Sequence, residues 1–258
     1  LTVGSLLKYL RERKDKDEIL VYYMPEAPDP CRFGQYSVLM EKIINQEQIE
    51  NVAIFTLTSG NSYGGIGWRM LLRAWCSVVI ADVMDEIYSA LLALARDKEE
   101  ALDIYKQCCA KVITSMEKDS WLGLRRVLME VATELAQIPL LGSYEEACKI
   151  ALIGEIYVRR DGFSRQYLVE RLAEKNIISK IAPVHEWVYY CDYLIKNDLS
   201  EKCTKMDKLR VKMETIFKVR YEREIKSILA KSGLYKYQLM EVDKIVERVA
   251  HLISPALS

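Results

Sequence analysis

The chain has 258 residues, half of them hydrophobic, and its 37 Lys and Arg residues balance its 37 Asp and Glu residues. A chain of this length and apolar content can bury a large core, in one large or two small domains. With no net charge and no basic block, nothing favours nucleic acid as a partner, and no apolar run reaches the length of a membrane span.

Seven cysteines, odd in number and irregularly spaced, are typical of thiols in a reducing compartment rather than of a disulfide framework. No secretory signal opens the chain. We therefore expect a protein of a reducing compartment. The sequence starts at Leu1 inside an apolar pattern and ends at Ser258 without a polar tail, so we expect a fragment of a longer protein.

Strand and helix signals alternate in the first part of the chain. The apolar run from Ile19 to Met24 predicts a strand, and three prolines then keep the chain extended. A 3.6-residue apolar period from Tyr36 to Ile44 predicts a helix. The run from Val52 to Leu57 predicts a second strand, whose continuous apolar character is typical of a buried parallel sheet.

A long helical stretch follows, from Trp68 to about Gln137, with few glycines and no proline before Pro139. The charged segment from Arg96 to Glu100 predicts a break between two of its helices. We interpret residues 68–137 as a helical insertion in a first α/β lobe that comprises residues 1–140.

The strand and helix pattern then restarts. The predicted elements are a strand over residues 149–158, a turn over 159–162, a helix over 164–175 and a strand over 177–183. An apolar stripe from Met206 to Leu229 predicts a long helix packed on the core, with a partner surface as the alternative. We predict that residues 141–258 form a second α/β lobe with long C-terminal helices.

A Gln–Tyr pair follows a predicted strand in each half, as Gln35-Tyr36 and as Gln166-Tyr167, which suggests two similar α/β halves. Strands that alternate with helices predict an α/β fold with parallel sheets. Such sheets bind ligands outside the carboxyl ends of their strands, so the three loops at those ends are the candidate sites.

Cys31 and Arg32 lie in the first strand-to-helix turn. A helix N-terminus and an arginine suit an anion, and both lower the pKa of a nearby thiol. Cys31 is therefore a candidate ligand for iron or thiolate for a substrate, and a small buried apolar residue is the alternative. No second cysteine lies within three residues, so an iron–sulfur cluster would need ligands from distant segments.

The glycine-rich loop after the second strand contains Asn61, Ser62, Gly64 and Gly65. Backbone N–H groups in such a loop can bind a phosphate. The loop has neither the Walker A order nor the G-x-G-x-x-G order, and a tight turn with positive φ is the alternative.

Arg159, Arg160 and Arg165 surround the predicted turn of the second half. An arginine cluster can capture a phosphate or a carboxylate. Surface salt bridges with Asp161 and Glu170 are the alternative.

Cys191 lies on the apolar face of a predicted helix, where a structural role is favoured and a metal ligand is the alternative. His185 and His251 are the only histidines and lack the spacing of a zinc-binding helix. We predict a helix cap or a surface position for His185.

Three segments together resemble one family: PCRFGQY at residues 30–36, NSYGG at 61–65, and GEIYVRRDGFSRQ at 154–166. The family comprises the large proteins described as CoA-substrate-specific enzyme activases, which are relatives of the 2-hydroxyacyl-CoA dehydratases and benzoyl-CoA reductases of anaerobes. The resemblance covers nearly the whole chain.

The resemblance implies an oxygen-sensitive cytoplasmic protein with Rossmann-like lobes, an iron–sulfur cluster between them, and an acyl-CoA site nearby. It implies an ATPase activator, in cis or in trans, that passes one electron to the cluster at low potential. Cys31 matches a cluster-binding cysteine, and Cys191 is a second candidate. The glycine-rich loop and the Arg159 turn would hold CoA or another phosphate-bearing molecule.

No ATPase phosphate motif lies in this chain, so we do not expect it to hydrolyse ATP, and we expect a fragment to be inactive alone. Two other functions stay open. One is a non-catalytic CoA- or nucleotide-binding module, and the other is a structural domain of a larger protein.

Overall fold

A computed structural model of the chain describes residues 2–25, 35–57, 67–199 and 204–253. These residues are mostly helical and include two parallel two-stranded sheets. The structure confirms the predicted mixed α/β class and the parallel pairing of the strands. The chain divides into two compact units, unit 1 (Leu1–Leu71) and unit 2 (Leu72–Ser258).

Unit 1 contains a strand–helix–strand arrangement that follows a first helix. Its elements are α1 (Thr2–Glu12), β1 (Leu20–Pro25), α2 (Tyr36–Gln46) and β2 (Val52–Leu57). The strands pair in parallel, with Leu20 opposite Val52 and Pro25 opposite Leu57. Both strands therefore end at the same edge of the sheet.

The helices of unit 1 cover one face of this sheet. Leu6 of α1 and Met40 of α2 are buried together with Met24 of β1. Side chains alternate between the two faces of a strand, and Val21 and Tyr23 of β1, on the other face, are more than half exposed. The sheet of unit 1 is thus apolar on both faces, and the described residues of the unit cover one of them.

Three long helices begin unit 2: α3 (Trp68–Leu94), of which the residues from Leu72 onward belong to this unit, α4 (Lys98–Lys118) and α5 (Trp121–Ala136). The predicted break between α3 and α4 is confirmed, because the Asp97 side chain accepts hydrogen bonds from the N–H groups of Glu99 and Glu100 at 3.0 Å. A second break, which we did not predict, follows α4, where Ser120 caps α5.

The rest of unit 2, where the structure describes it, contains the second sheet and five further α-helices. The elements are β3 (Lys149–Leu152), α6 (Ile156–Arg160), α7 (Leu168–Ala173), β4 (Ile178–Ile181), α8 (Val184–Lys196), α9 (Lys205–Leu229) and α10 (Val242–Val249). The strands pair in parallel, with Leu152 opposite Ile181. β3 is shorter than predicted, because Glu155 starts helix α6 within the predicted strand.

The helical stretch belongs to unit 2, so our prediction of an insertion in a first lobe of residues 1–140 is corrected. Val79 and Leu91 of α3 share one buried core with Ile178 of β4 and Ile225 of α9. The physical reason is that α3 is apolar on most of its circumference and therefore needs partners on several sides. The C-terminal strands and helices supply them.

The similarity between the two halves extends to their strand–helix–strand order but not to the Gln–Tyr turns. Gln35 has ordinary right-handed φ and ψ angles ahead of α2. Gln166 and Tyr167 both have a positive φ of 53° ahead of α7. The repeated dipeptide therefore does not indicate a repeated turn.

The N-terminal part of the α9 stripe is exposed, which contradicts its prediction as core. Its exposed members are Met206, Leu209, Met213, Ile216 and Phe217. The opposite side of α9 is buried and includes Val211, Ile225 and Leu229. None of the helices in the described ranges has both the length and the apolar character that a bilayer crossing requires.

Candidate functional site

The carboxyl ends of β1 and β2 lie side by side, because Pro25 is paired with Leu57. The segments that follow these strands carry six of the predicted site residues, all of which lie outside the described residues: Cys31, Arg32, Asn61, Ser62, Gly64 and Gly65. Both segments leave the same edge of one parallel sheet, which is where α/β proteins bind ligands.

Arg159 and Arg160 lie in the last turn of the short helix α6, rather than in a turn directly after a strand. Glu155 starts this helix, and its carboxylate accepts a hydrogen bond from the Val158 N–H at 2.8 Å. Cations in the last turn suit the negative end of a helix dipole. The helix lies just beyond the carboxyl end of β3, so this part of the site is close to where the sequence predicted it.

Arg160 joins α6 to α3 and to the end of β4. Its guanidinium donates hydrogen bonds to the carboxylates of Asp82 and Asp85. A longer bond of 3.5 Å reaches the carbonyl of Ala182. An anion at Arg160 would therefore have to compete with two carboxylates that already hold the guanidinium.

Arg165 is held in a similar way. It donates to Glu170 at 3.1 Å and to the carbonyl of Arg159 at 3.3 Å. The salt bridge with Glu170, which the sequence offered as an alternative to anion binding, is present. The carboxylate of Asp161 instead accepts a hydrogen bond from the Ser164 N–H at 2.7 Å.

Arg159 differs from the other two arginines, because its guanidinium contacts only carbonyl oxygens. It donates to the carbonyl of Gly154 at 2.5 Å and to that of Pro183 at 3.4 Å. Burial, and then the charge of Arg160, lowers the pKa of Arg159. No carboxylate in the described ranges forms an ion pair with Arg159. Of the three arginines, it is the one best placed to take an anion.

The segment around Arg159 exposes several large apolar side chains: Ile153, Tyr157, Val158, Phe163 and Tyr167. It also holds two consecutive non-glycine residues with positive φ, Gln166 and Tyr167. Left-handed backbone costs a non-glycine residue about 1–2 kcal/mol, and such strain clusters at functional sites. Hydrogen bonds from Tyr167 N–H to Gly162 O at 2.8 Å and from Gln166 N–H to Phe163 O at 3.0 Å hold the turn.

Asp82 of α3 connects this turn to helix α8. One carboxylate oxygen accepts from Arg160 and from the Val184 N–H at 3.0 Å. The other accepts from the His185 N–H at 3.0 Å and from His185 Nδ1 at 2.6 Å. Burial raises the pKa of Asp82, but these hydrogen bonds outweigh burial and leave the pKa below its usual value. A carboxylate from α3 therefore caps the N-terminus of α8.

A buried polar network continues from His185 into α9. Lys226 Nζ lies 3.0 Å from His185 Nε2 and donates to Glu222 at 2.5 Å and to the Gln238 carbonyl at 2.9 Å. Tyr189 donates to the second Glu222 oxygen at 2.7 Å. Burial, and then the charge of Glu222, raises the pKa of Tyr189, so its hydroxyl stays protonated and donates.

The partners of His185 assign its tautomer. Lys226 has only donors, so Nε2 accepts from it, and Nδ1 carries the proton that is donated to Asp82. All three N–H bonds of Lys226 and both ring nitrogens of His185 then have partners inside the protein. His185 is 1% exposed, so the prediction of a surface position is wrong. The hydrogen bonds of this buried network connect α3, α8 and α9 to one another.

Cys191 lies on α8 and is partly buried. No group of three or more His, Cys, Asp or Glu side chains in the described ranges is arranged to hold a metal ion. Burial raises the pKa of Cys76 and of Cys108 to about 12, which makes both poor thiolate donors. The described residues of unit 2 therefore do not fit an iron–sulfur cluster around Cys191.

Our predictions from the sequence did not include Asp82, Tyr189, Glu222 or Lys226, although one signal was present. Asp82 interrupts the otherwise apolar run of α3 from Val79 to Met84. A carboxylate in such a run has to be paired when it is buried. Its partners lie about 80 to 100 residues further along the chain, so the sequence could indicate the need for a partner but not its identity.

Comparisons of this chain with protein-family models, with curated proteins and with solved structures found no match.

Proposed function

We propose that this chain is the dehydratase-like part of an iron–sulfur protein that acts in ATP-driven low-potential electron transfer or in the activation of acyl-CoA chemistry. One observation carries the proposal. The paired ends of β1 and β2 start the Cys31 segment and the glycine-rich segment at one edge of a parallel sheet. The resemblance of both segments to the CoA-substrate-specific enzyme activases supplies the chemistry.

In this proposal, the two strand–helix–strand arrangements belong to Rossmann-like lobes of a cytoplasmic protein from an anaerobe. Cys31 would be a ligand of the cluster, and Arg32 would add positive charge beside it. The cluster, when bound, supplies one-electron storage. Its remaining ligands would come from outside the described residues, since those residues hold no metal-binding group. An ATPase activator, in cis or in trans, would be the electron donor.

The test is anaerobic purification of the full-length protein, followed by its visible spectrum and iron content. We expect a coloured, iron-containing protein that loses both properties in Cys31→Ser. Cys148→Ser is the matched control, because Cys148 is an exposed thiol to which no role is assigned. Cys191→Ser should leave the iron content unchanged, because no metal-binding group surrounds Cys191 among the described residues. A colourless, iron-free wild-type protein, or a Cys31→Ser variant with unchanged iron, would refute the proposal.

A second candidate function is a CoA- or nucleotide-binding module, and the environment of Arg159 favours it. Its guanidinium lies at the carboxyl end of β3 and forms no ion pair with a described carboxylate. Tyr157 and Phe163 expose aromatic rings in the same segment. A phosphate at Arg159 and a base against an aromatic ring would suit these groups.

Thermal unfolding with CoA, ADP or inorganic phosphate tests this second function. A ligand that binds only the folded state raises the melting temperature, and the increase grows with the logarithm of the ligand concentration above its Kd. We expect Arg159→Gln to remove the CoA-dependent increase, and Arg171→Gln, at an exposed arginine of α7, to leave it unchanged. If none of the three compounds raises the melting temperature of the wild-type protein, the binding module is excluded. If the protein is also free of iron, the remaining function is that of a structural domain of a larger protein.

A further inference from the structure

The N-terminal half of α9 presents an apolar stripe that no described part of the chain covers. Its members are Met206, Leu209, Met213, Ile216 and Phe217, and they are 53 to 72% exposed. They lie at helical spacing on one side of α9, while Val211 on the opposite side is buried. Protein surfaces usually carry exposed apolar residues singly, so a continuous stripe of three turns indicates an interaction site.

Three cations border this stripe along one side, Lys205, Lys212 and Arg223, and Arg220 follows the stripe one turn beyond Ile216 and Phe217. Lys205 and Lys212 are seven residues apart, and Lys212 and Arg223 are eleven apart, which correspond to about two and three helical turns. All four are exposed, and none forms an ion pair with another described residue. On the other border, Arg210 lies 3.6 Å from Glu214, so that side is close to neutral. We call the stripe and its four cations the α9 surface.

We propose that the α9 surface binds an amphipathic helix of a partner protein whose apolar stripe is bordered by Asp and Glu. A helix that lies along α9 would remove both stripes from water, which contributes roughly 25 cal/mol for each Å² of apolar surface. Carboxylates along its border would pair with the four cations, as charged residues do beside the seam of a coiled coil. Charge complementarity is what selects this occupant.

A second copy of the chain fits this surface less well. In an antiparallel pair of two α9 helices each border faces the same border of the other helix, so the cations of the two copies would repel one another. In a parallel pair the cations would face the near-neutral border around Arg210 and Glu214, which offers them no row of carboxylates. A lipid surface is also disfavoured, because the stripe contains no Trp and two Met, and Met is common where helices of proteins bind.

The experiment uses the full-length protein and two synthetic helical peptides with the same Leu stripe, one bordered by Glu and the other by Lys. Fluorescence anisotropy measures both affinities. We expect the Glu peptide to bind at least about tenfold more tightly. Ile216→Ser should weaken this binding, and Leu122→Ser, at an exposed apolar residue of α5, should not. The triple variant Lys205→Glu, Lys212→Glu, Arg223→Glu should reverse the preference in favour of the Lys peptide.

Three results would overturn the proposal. The first is equal binding of both peptides, or binding of neither. The second is a concentration-dependent dimer in sedimentation experiments that Ile216→Ser abolishes, which would assign the surface to a second copy. The third is binding to phosphatidylcholine–phosphatidylserine vesicles that the Glu peptide does not inhibit, which would assign it to a membrane.

Discussion

At the scale of residues, Lys226 uses all three of its N–H bonds inside the protein, on His185, Glu222 and the Gln238 carbonyl. A buried ammonium group is tolerated only when its donors are satisfied and a carboxylate is close. Glu222 in turn accepts from Tyr189 and from the Met240 N–H. These groups form one unit, so removal of a single member leaves the others buried without their partner.

We therefore expect Lys226→Met to destabilise the protein by about 3–5 kcal/mol, because it leaves the Glu222 carboxylate buried without its cation. Urea unfolding at neutral pH measures the change in the free energy of unfolding. Lys231→Met, at an exposed lysine, should change it by less than about 0.5 kcal/mol. The double variant Lys226→Met, Glu222→Gln should recover part of the loss. Equal effects of Lys226→Met and Lys231→Met would contradict the stabilising role of the network.

The lowered pKa of Asp82 makes the stability of the fold depend on pH, and its direction fixes the sign of this dependence. Burial raises the pKa of Asp82, but hydrogen bonds from the His185 side chain and from the N–H groups of Val184 and His185 lower it by more. The folded pKa is therefore below the unfolded value of about 3.9. The stabilisation from its ionised form is present above that unfolded value. It is lost as the pH falls through the folded pKa.

The difference in unfolding free energy between the wild-type protein and Asp82→Asn should therefore shrink as the pH is lowered through this range. Asp103→Asn is the control, since Asp103 is exposed and forms only a surface pair with Lys106. A difference between wild type and Asp82→Asn that does not depend on pH would show that the ionised form of Asp82 is not what stabilises the fold.

At the scale of elements, the two ends of α9 have opposite environments. Its C-terminal half is buried around Ile225 and Leu229, and its N-terminal half exposes the stripe that we predicted as core. Apolar periodicity shows that a helix has an apolar side, but it does not show what covers that side. The prediction of the helix itself is confirmed, and the prediction of its environment is wrong for the first three turns.

Two isoleucines of α9 make this contrast measurable. Ile225→Ala removes a fully buried side chain and should cost about 2–5 kcal/mol of unfolding free energy. Ile216→Ala removes an exposed one and should change the free energy by less than about 0.5 kcal/mol. Because the substitution and the helix are the same, helix propensity contributes equally to both variants. A large loss in Ile216→Ala would mean that this face is covered in the isolated protein.

At the scale of the whole molecule, the chain consists of two units with separate cores. The buried core of unit 2 draws its members from Trp75 to Val246. The described core of unit 1 has four buried side chains, and no described residue of the unit covers the second face of its two-stranded sheet. A two-stranded sheet is marginally stable by itself, and small cores contribute little.

We expect residues 68–258 to fold without the rest of unit 1. The truncated chain should retain a helical circular dichroism spectrum and a single cooperative unfolding transition, since its core needs no residue before α3. The matched fragment, residues 1–67, should unfold without cooperativity. Gradual, non-cooperative melting of residues 68–258 would show that unit 1 is part of the same folding unit.

By itself, the sequence determined the local elements. It predicted β2 with its observed bounds, β1 within one residue at each end, the break after α3, and the parallel arrangement of the strands. These features follow from apolar periodicity and from capping residues, which act over a few positions of the chain. It also placed Arg159 and Arg160 just beyond the carboxyl end of a strand, although not in their short helix.

Only the tertiary structure decided which predicted groups are available to a ligand. It paired Arg160 with Asp82 and Asp85, left Arg159 without a described carboxylate, and buried His185 against Lys226. It also assigned α3–α5 to unit 2 and left one side of α9 exposed. The physical reason is that burial and ion pairing depend on partners tens to more than a hundred residues away, whose positions no local periodicity specifies.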